Sequence, residues 1–354
     1  MRKSREFLLG EPDGKPRYVH VVTRTAGQEI LFGDAEKEGF HKILFKQLKF
    51  SGLRALAWCL MGNHLHLLLE VPDKQKALEG WGEDDLIGRL AVFKDEMSTR
   101  LTLGEVEMFR RNGHADGVAE IAARVRDRLF DLSVFMKELK QRMTIAYNHA
   151  HGRKGTLWEG RFKCTLVHYG EALRAVAAYI DLNPIRAGLV DKPEDYRWCS
   201  YAAAVGGMRL ARSGLAQVAT AARGLSRKLS WGKAQESYRQ LLFGIGQEVR
   251  GGATPDGYEK SKGGFTQQEI EEVYASGGKL SLAAVLRCRV RYFTDGVVLG
   301  SSAFVDEFFE RRRSQFGEAR QSGARRMKGA AWGALRVLRD LRVDPVSVPA
   351  EPTA

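Results

Sequence analysis

Cysteine is scarce. The 354 residues contain four, Cys59, Cys164, Cys199 and Cys288, set far apart. No CxxC pair and no zinc-type spacing occurs, so neither a disulfide framework nor a zinc module is expected, and the four read as free thiols of a reducing cytoplasm. Long hydrophobic runs are also missing. No stretch approaches the ~18 uninterrupted apolar residues that span a bilayer, so no membrane partner is expected. The opening MRKSREFLLGEPDGK has no apolar h-region and no small-residue cleavage site, which argues against secretion. No internal repeat is visible. Acidic residues are outnumbered: Lys and Arg total 56 against 43 Asp and Glu, a formal net charge of +13. That balance favours a polyanionic partner. Apolar residues make up 44% of the chain, enough for a real core, and the length suggests two domains.

RYVHVVTR at 17–24 alternates and is rich in β-branched residues, which predicts a strand. Phe40, Ile43, Leu44 and Leu48 recur at helical spacing and predict a helix over 35–51, ended by Gly52. RALAWCLM and HLHLLLEV are separated by Gly62-Asn63 and read as a hairpin. Strand–helix–strand–strand makes an α+β beginning with a largely antiparallel sheet. Residues 73–130 are highly charged and read as a helical insertion. Leu132, Phe135, Met136, Leu139 and Met143 form one stripe of a helix over 132–150. GTLWEGRFKCTLVHY at 155–169 reads as a loop and then a strand, and 171–182 as a helix stopped by Asn183-Pro184. The first domain is expected to span 1–204. Residues 205–232 look like a linker with helical content, 233–343 like a helical, basic C-terminal domain, and 344–354 like a disordered tail. Between Val305 and Val343 ten Arg and Lys face five Asp and Glu.

The stretch CLMGNHLHLLLEVP places His64 and His66 two residues apart in an apolar run. Side chains at i and i+2 of a strand share a face, so the two rings could present nitrogens to one metal ion. The competing reading is two packed, hydrogen-bonded histidines. Burying two polar rings costs free energy unless something binds them, which favours ligation. His149 and His151 have the same spacing at a helix end, where i and i+2 differ by about 200° and face apart. His20, His41, His114 and His168 are isolated and carry no assignment. Imidazole suits transition ions such as Mn²⁺ or zinc, while Mg²⁺ can share such a site with substrate phosphate.

AAYIDLNPIRAG offers Tyr179 as a nucleophile, with Asn183 one turn later, about 40° away on the helix. Asp181 faces elsewhere. An amphipathic core tyrosine and a helix-stopping asparagine are the plain alternatives, and Tyr147 is a competing nucleophile that periodicity does not eliminate.

Four ordered motifs, LMGNHLHLLLEVP, GTLWEGRFK, YIDLNPIRAGLV and DYRWCSY, resemble those of the HUH single-tyrosine transposases, and more narrowly the REP-associated tyrosine transposase branch. The likeness spans about 15–204, interrupted by the insertion. It implies a ferredoxin-like antiparallel sheet with packed helices, the HUH nuclease core, to which the mainly helical C-terminal region is added. His64 and His66 match the metal-binding pair and Tyr179 the nucleophile. Asn183 stands where relatives carry a Gln or Asn that helps hold a divalent ion, Mg²⁺ or Mn²⁺.

The resemblance further implies single-stranded DNA cleavage and rejoining at hairpin-associated sites through a 5′-phosphotyrosine, hence DNA transposition. The partner would be single-stranded DNA bearing a hairpin, the enzyme a monomer or homodimer, cytoplasmic and nucleoid-associated. Trp158, Arg161, Lys163 and Arg186 could stack on and neutralise an unpaired strand. The rivals are another HUH nuclease such as a replication initiator, against which Asn183 stands where a second tyrosine would be, and a domesticated, catalytically weak hairpin-DNA-binding protein. A metal-dependent phosphohydrolase would want carboxylate clusters that the sequence lacks.

Overall fold

A computed structural model describes residues 13–243, 282–339 and 346–347. The β-branched alternation of Arg17–Arg24 forms strand β1. Helix α1, Asp34–Ser51, buries Phe40, Leu44 and Leu48, one contact per turn. Gly52 ends it in the left-handed conformation at φ 78°, with its N–H on the Leu48 carbonyl. Strands β2, Arg54–Leu60, and β3, His64–Val71, form the expected hairpin. It is closed by Met61 N–H donating to the His64 carbonyl over 2.8 Å.

Residues 73–130 fold back on α1. Their longest helices are α2, Met97–Arg111, and α3, Ala115–Arg128. Leu86, Phe93, Val106, Ile121 and Val125 bury one another around Phe50 of α1, a small core of their own. Helix α4, Leu132–Ala150, starts on Asp131, whose side chain accepts from the Val134 N–H. Strand β4, Lys163–Val167, pairs antiparallel with β1. Helix α5 runs Glu171–Asp181.

β3 is the partner of both β1 and β2, and the register sets Val22 opposite His66 and Arg24 opposite His64. With period two, one face carries His20, Val22, Arg24, His64 and His66, and the other carries Trp58, Leu65 and Leu67. Helix α1 covers the second face, with α4 packed on α1; there the rings of His41 and Phe45 lie 6.3 and 5.3 Å from that of Trp58. Helix α5 covers the first. Its residues are buried nearly all round, and its alanines allow close approach.

Two expectations for the rest of the chain are corrected. Residues 205–232 do not form a linker: helix α6, Arg209–Ala222, packs on β2 and α5. A Cβ on Gly214 would stand 2.6 Å from the Leu56 carbonyl oxygen, so only glycine permits this approach. Helix α7 follows, Trp231–Phe243. Nor do the described residues 282–339 form a separate helical domain: they add strands to the sheet. Two-residue β5, Arg289–Val290, pairs with β9, Val346–Ser347. β6, Val298–Gly300, runs parallel to β4 and extends the sheet, followed by β8, Arg336–Val337, and β7, Arg325–Arg326. Among the described residues the sheet has seven strands in the order β2-β3-β1-β4-β6-β8-β7. Its core joins Tyr179 to Phe293, Leu299 and Val337. Strands of two or three residues carry too little period to be read from sequence, and helix α8, Ser302–Glu310, supplied the helical signal. The fold is α+β with a mixed sheet. Within the expected tail, 346–347 form β9, and 344–345 and 348–354 lie outside the described residues, as do 244–281 and 340–343 of the expected helical domain. Among the described residues no helix is long and apolar enough to cross a membrane.

Candidate active site

The period of β3 places His64 and His66 side by side, ring centroids 5.0 Å apart. Asn63, in the hairpin turn, orients the first. Its Nδ2 donates to the Gln28 carbonyl over 2.8 Å, which turns its Oδ1 to His64 Nδ1 at 2.6 Å. An amide oxygen only accepts, so His64 holds its proton on Nδ1 and a lone pair on Nε2. Asn183 Nδ2 lies 3.1 Å from that Nε2 and donates to it. Asn183 opens a single-turn helix, Asn183–Arg186, with Pro184 in its first turn, and this break in α5 carries the amide back over β3.

His66 is buried, with Nδ1 2.9 Å from Nε2 of His20 on β1. His20 Nδ1 in turn meets the Phe293 carbonyl oxygen at 2.8 Å. Burial pushes the His64 pKa down to about 3, helped by the charges of Arg24 and Arg186. Burial likewise holds His20 down at about 4 and lowers His66. The rings are neutral at neutral pH, the form that offers a lone pair to a metal.

Tyr179 reaches this face from α5. Its ring stands edge-on to His66 at 6.1 Å and to Phe293 at 5.0 Å between centroids. Its residue is 4% exposed. Asp181 points away, accepting from Ser200 Oγ at 2.6 Å, the Tyr201 N–H at 2.9 Å and Tyr238 Oη at 2.8 Å. Tyr147 lies elsewhere, stacked on His151 and against Phe32. His151 meets Glu36 at 2.9 Å, and His149 is exposed at the end of α4.

The four proposed strand contacts divide. Arg161 is exposed and lines, with Glu159 and Lys163, a cavity of about 70 Å³ whose walls include Val22 and Arg24, the β1 partners of His66 and His64. Lys163 is exposed but paired with Asp295 at 2.8 Å. Trp158 is buried, its Nε1–H donated to the Lys140 carbonyl over 3.1 Å, so no base can stack on it as it stands. Arg186 is buried too and serves main-chain carbonyls. Burial takes the indole, and the guanidinium itself, away from the surface where an unpaired strand would lie.

Among the described residues no group of three or more His, Cys, Asp or Glu is arranged to hold a metal ion. The donor set here is two imidazoles and an amide, which a half-turn of the Asn183 amide would present through oxygen. That set fits a Mg²⁺ or Mn²⁺ ion completed by phosphate or water oxygens, and fits structural zinc poorly. Sequence reasoning missed His20, Arg24 and Phe293. Alternation in RYVHVVTR puts His20 and Arg24 on one strand face, but nothing in it gives the register against β3.

No protein-family model matches the chain, and no curated protein matches it. Among solved structures it is similar to a REP-associated tyrosine transposase bound to a REP hairpin, at 15% identity and a TM-score of 0.36, over 58% of this chain and 87% of that one.

Proposed function

We propose that the chain cleaves and rejoins single-stranded DNA at hairpin-associated sites, with Tyr179 as nucleophile and a divalent ion held by His64, His66 and Asn183. One observation carries the reading: the neutral histidine pair, the Asn183 amide and the Tyr179 ring share one face of the sheet, beside a basic cavity. The ferredoxin-like HUH core is the fold this reading assumes.

Tyr179 Oη would attack the scissile phosphorus. The Oη–P bond forms as the P–O3′ bond breaks, leaving a 5′-phosphotyrosine and a 3′-hydroxyl. The tyrosine releases one proton and the leaving oxygen takes one up, so the step is proton-neutral. A 3′-hydroxyl can reverse it, conserving the bond without ATP. A Mg²⁺ or Mn²⁺ ion held by His64, His66 and Asn183 would supply Lewis-acid polarisation of the phosphate. His64 and His66 are pinned by Asn63 and His20, which removes reorientation from the reacting geometry. Arg24 and Arg161 neutralise phosphates of the incoming strand.

The test is incubation with labelled single-stranded DNA carrying hairpin-forming inverted repeats sought in the DNA on either side of the gene. With Mn²⁺ or Mg²⁺ a denaturation-resistant adduct is expected, lost on chelation and absent from Tyr179→Phe. An adduct that survives Tyr179→Phe but not Tyr147→Phe refutes the assigned nucleophile. The near-complete burial of Tyr179 favours a second reading, a hairpin-binding protein with little catalysis. Tight hairpin binding with no adduct under either metal would select it.

A further inference from the structure

We propose that His20 is a positioning residue that fixes the tautomer of His66, and that the main-chain carbonyl of Phe293 sets the polarity of this relay. The inference rests on the metal-site reading above for its purpose, but its geometry stands separately.

A carbonyl oxygen can only accept. With 2.8 Å between His20 Nδ1 and the Phe293 oxygen, the proton of neutral His20 must sit on Nδ1, because the reverse tautomer would set two lone pairs against each other. His20 Nε2 is then an acceptor. His66 Nδ1, 2.9 Å away, must be the donor. His66 Nε2 is left with its lone pair, as His64 Nε2 is by the separate chain from Gln28 through Asn63. Two relays, each anchored on a main-chain carbonyl, therefore leave both histidines of the pair with the nitrogen lone pair that a metal needs. A ligating histidine is commonly oriented in this way through its other ring nitrogen.

The site is built for the role. His20 is 1% exposed, and its ring stacks beside that of His66, centroids 5.1 Å apart and planes 15° from parallel. Thr165 faces it from β4. The single-turn helix Tyr292–Asp295 brings the carbonyl. Its Phe293 ring also stands against Tyr179, at 5.0 Å. One residue of the C-terminal region thus touches both the tyrosine and the relay behind the histidine.

The experiment uses the full chain with ¹⁵N-labelled histidine, free of metal. Two-bond ¹H–¹⁵N spectra report which ring nitrogen carries the proton, and His66 is assigned by comparison with His66→Gln. Wild-type His66 is expected as the Nδ1–H tautomer. In His20→Leu it should become the Nε2–H form or a mixture, and Mn²⁺ affinity read by electron paramagnetic resonance should fall about 10–100-fold. In His20→Gln the amide again has a donor for Phe293 and an acceptor for His66, so both readouts should return toward wild type. A buried side chain that merely fills space would be replaced as well by Leu as by Gln. Wild-type His66 protonated on Nε2, or a Leu variant with unchanged tautomer, overturns the proposal whatever the stability of the variants. If wild type shows the expected tautomer but binds no Mn²⁺, the metal-site reading fails while the positioning role of His20 stands.

Discussion

The guanidinium of Arg186 lies 3.9 Å over the ring of Tyr179, while its Nη2 donates to that residue's own carbonyl over 2.8 Å. Its Nη1 reaches the Leu286 carbonyl at 2.9 Å. A buried cation is thereby satisfied by carbonyls and an aromatic face, with burial depressing its pKa and Tyr179 partly opposing that. Such an arrangement needs a planar fork, which lysine lacks. Arg186→Lys is expected to destabilise the fold by about 2–4 kcal/mol, measured by urea unfolding.

His41 predicts an acid-sensitive fold. Burial between α1 and β2 pushes its pKa down to about 4 from 6.5, with Arg197 adding and Glu38 opposing. Between those two values the unfolded chain binds a proton that the folded chain does not, so stability falls as pH falls. From pH 7.5 to 5 this one group should cost about 2 kcal/mol. His20 and His64 act in the same direction. His41→Phe should remove its share of the slope, and an unchanged difference between the two pH values would show that His41 is not responsible.

Gly214 tests whether α6 belongs to the fold. Gly214→Ala would force a methyl against the Leu56 and Ala55 carbonyls and is expected to destabilise by about 1–3 kcal/mol. A true linker would tolerate alanine. Thermal unfolding of the two proteins decides.

Arg161 and Trp158 should separate cleanly. Arg161→Ala is expected to leave the melting temperature alone and to lower the salt dependence of hairpin-DNA affinity by about one phosphate contact. Trp158→Ala removes a buried indole and is expected to cost about 3–5 kcal/mol of stability. Titration of hairpin affinity against salt, beside a melting curve, reads both.

The amino-terminal half was legible because its elements are long and periodic: Arg17–Arg24 alternates, Phe40, Leu44 and Leu48 recur once per turn, and HLHLLLEV needs only period two to pair its histidines. What could not be read was long-range. No local pattern sets His20 beside His66, since register is decided by the whole sheet. Phe293 comes 273 residues after His20, and the strands near it are two or three residues long. Helix α6 reads from sequence as part of a linker with helical content because alanine and glycine, the residues that let it touch β2, are those that make a surface segment look unspecific. Trp158 hides its position for a related reason: beside Arg161 and Lys163 an indole reads as a surface stacking platform, and only tertiary packing shows its ring inside.

The parallel join of β4 to β6 has a consequence for synthesis. β1, β2, β3 and β4 leave the ribosome first, and domains tend to form in that order. The carbonyl that anchors His20 is made 273 residues later, roughly 15–50 s at ordinary elongation rates. Once Tyr179 has been added, the nascent chain has the histidines and the tyrosine but, until Leu286 and Phe293 follow, neither the Leu286 contact of Arg186 nor the Phe293 anchor. Completion of the site is therefore timed: the contact behind His20 is made only once Phe293 has been added, and a product ended before that residue is born without it.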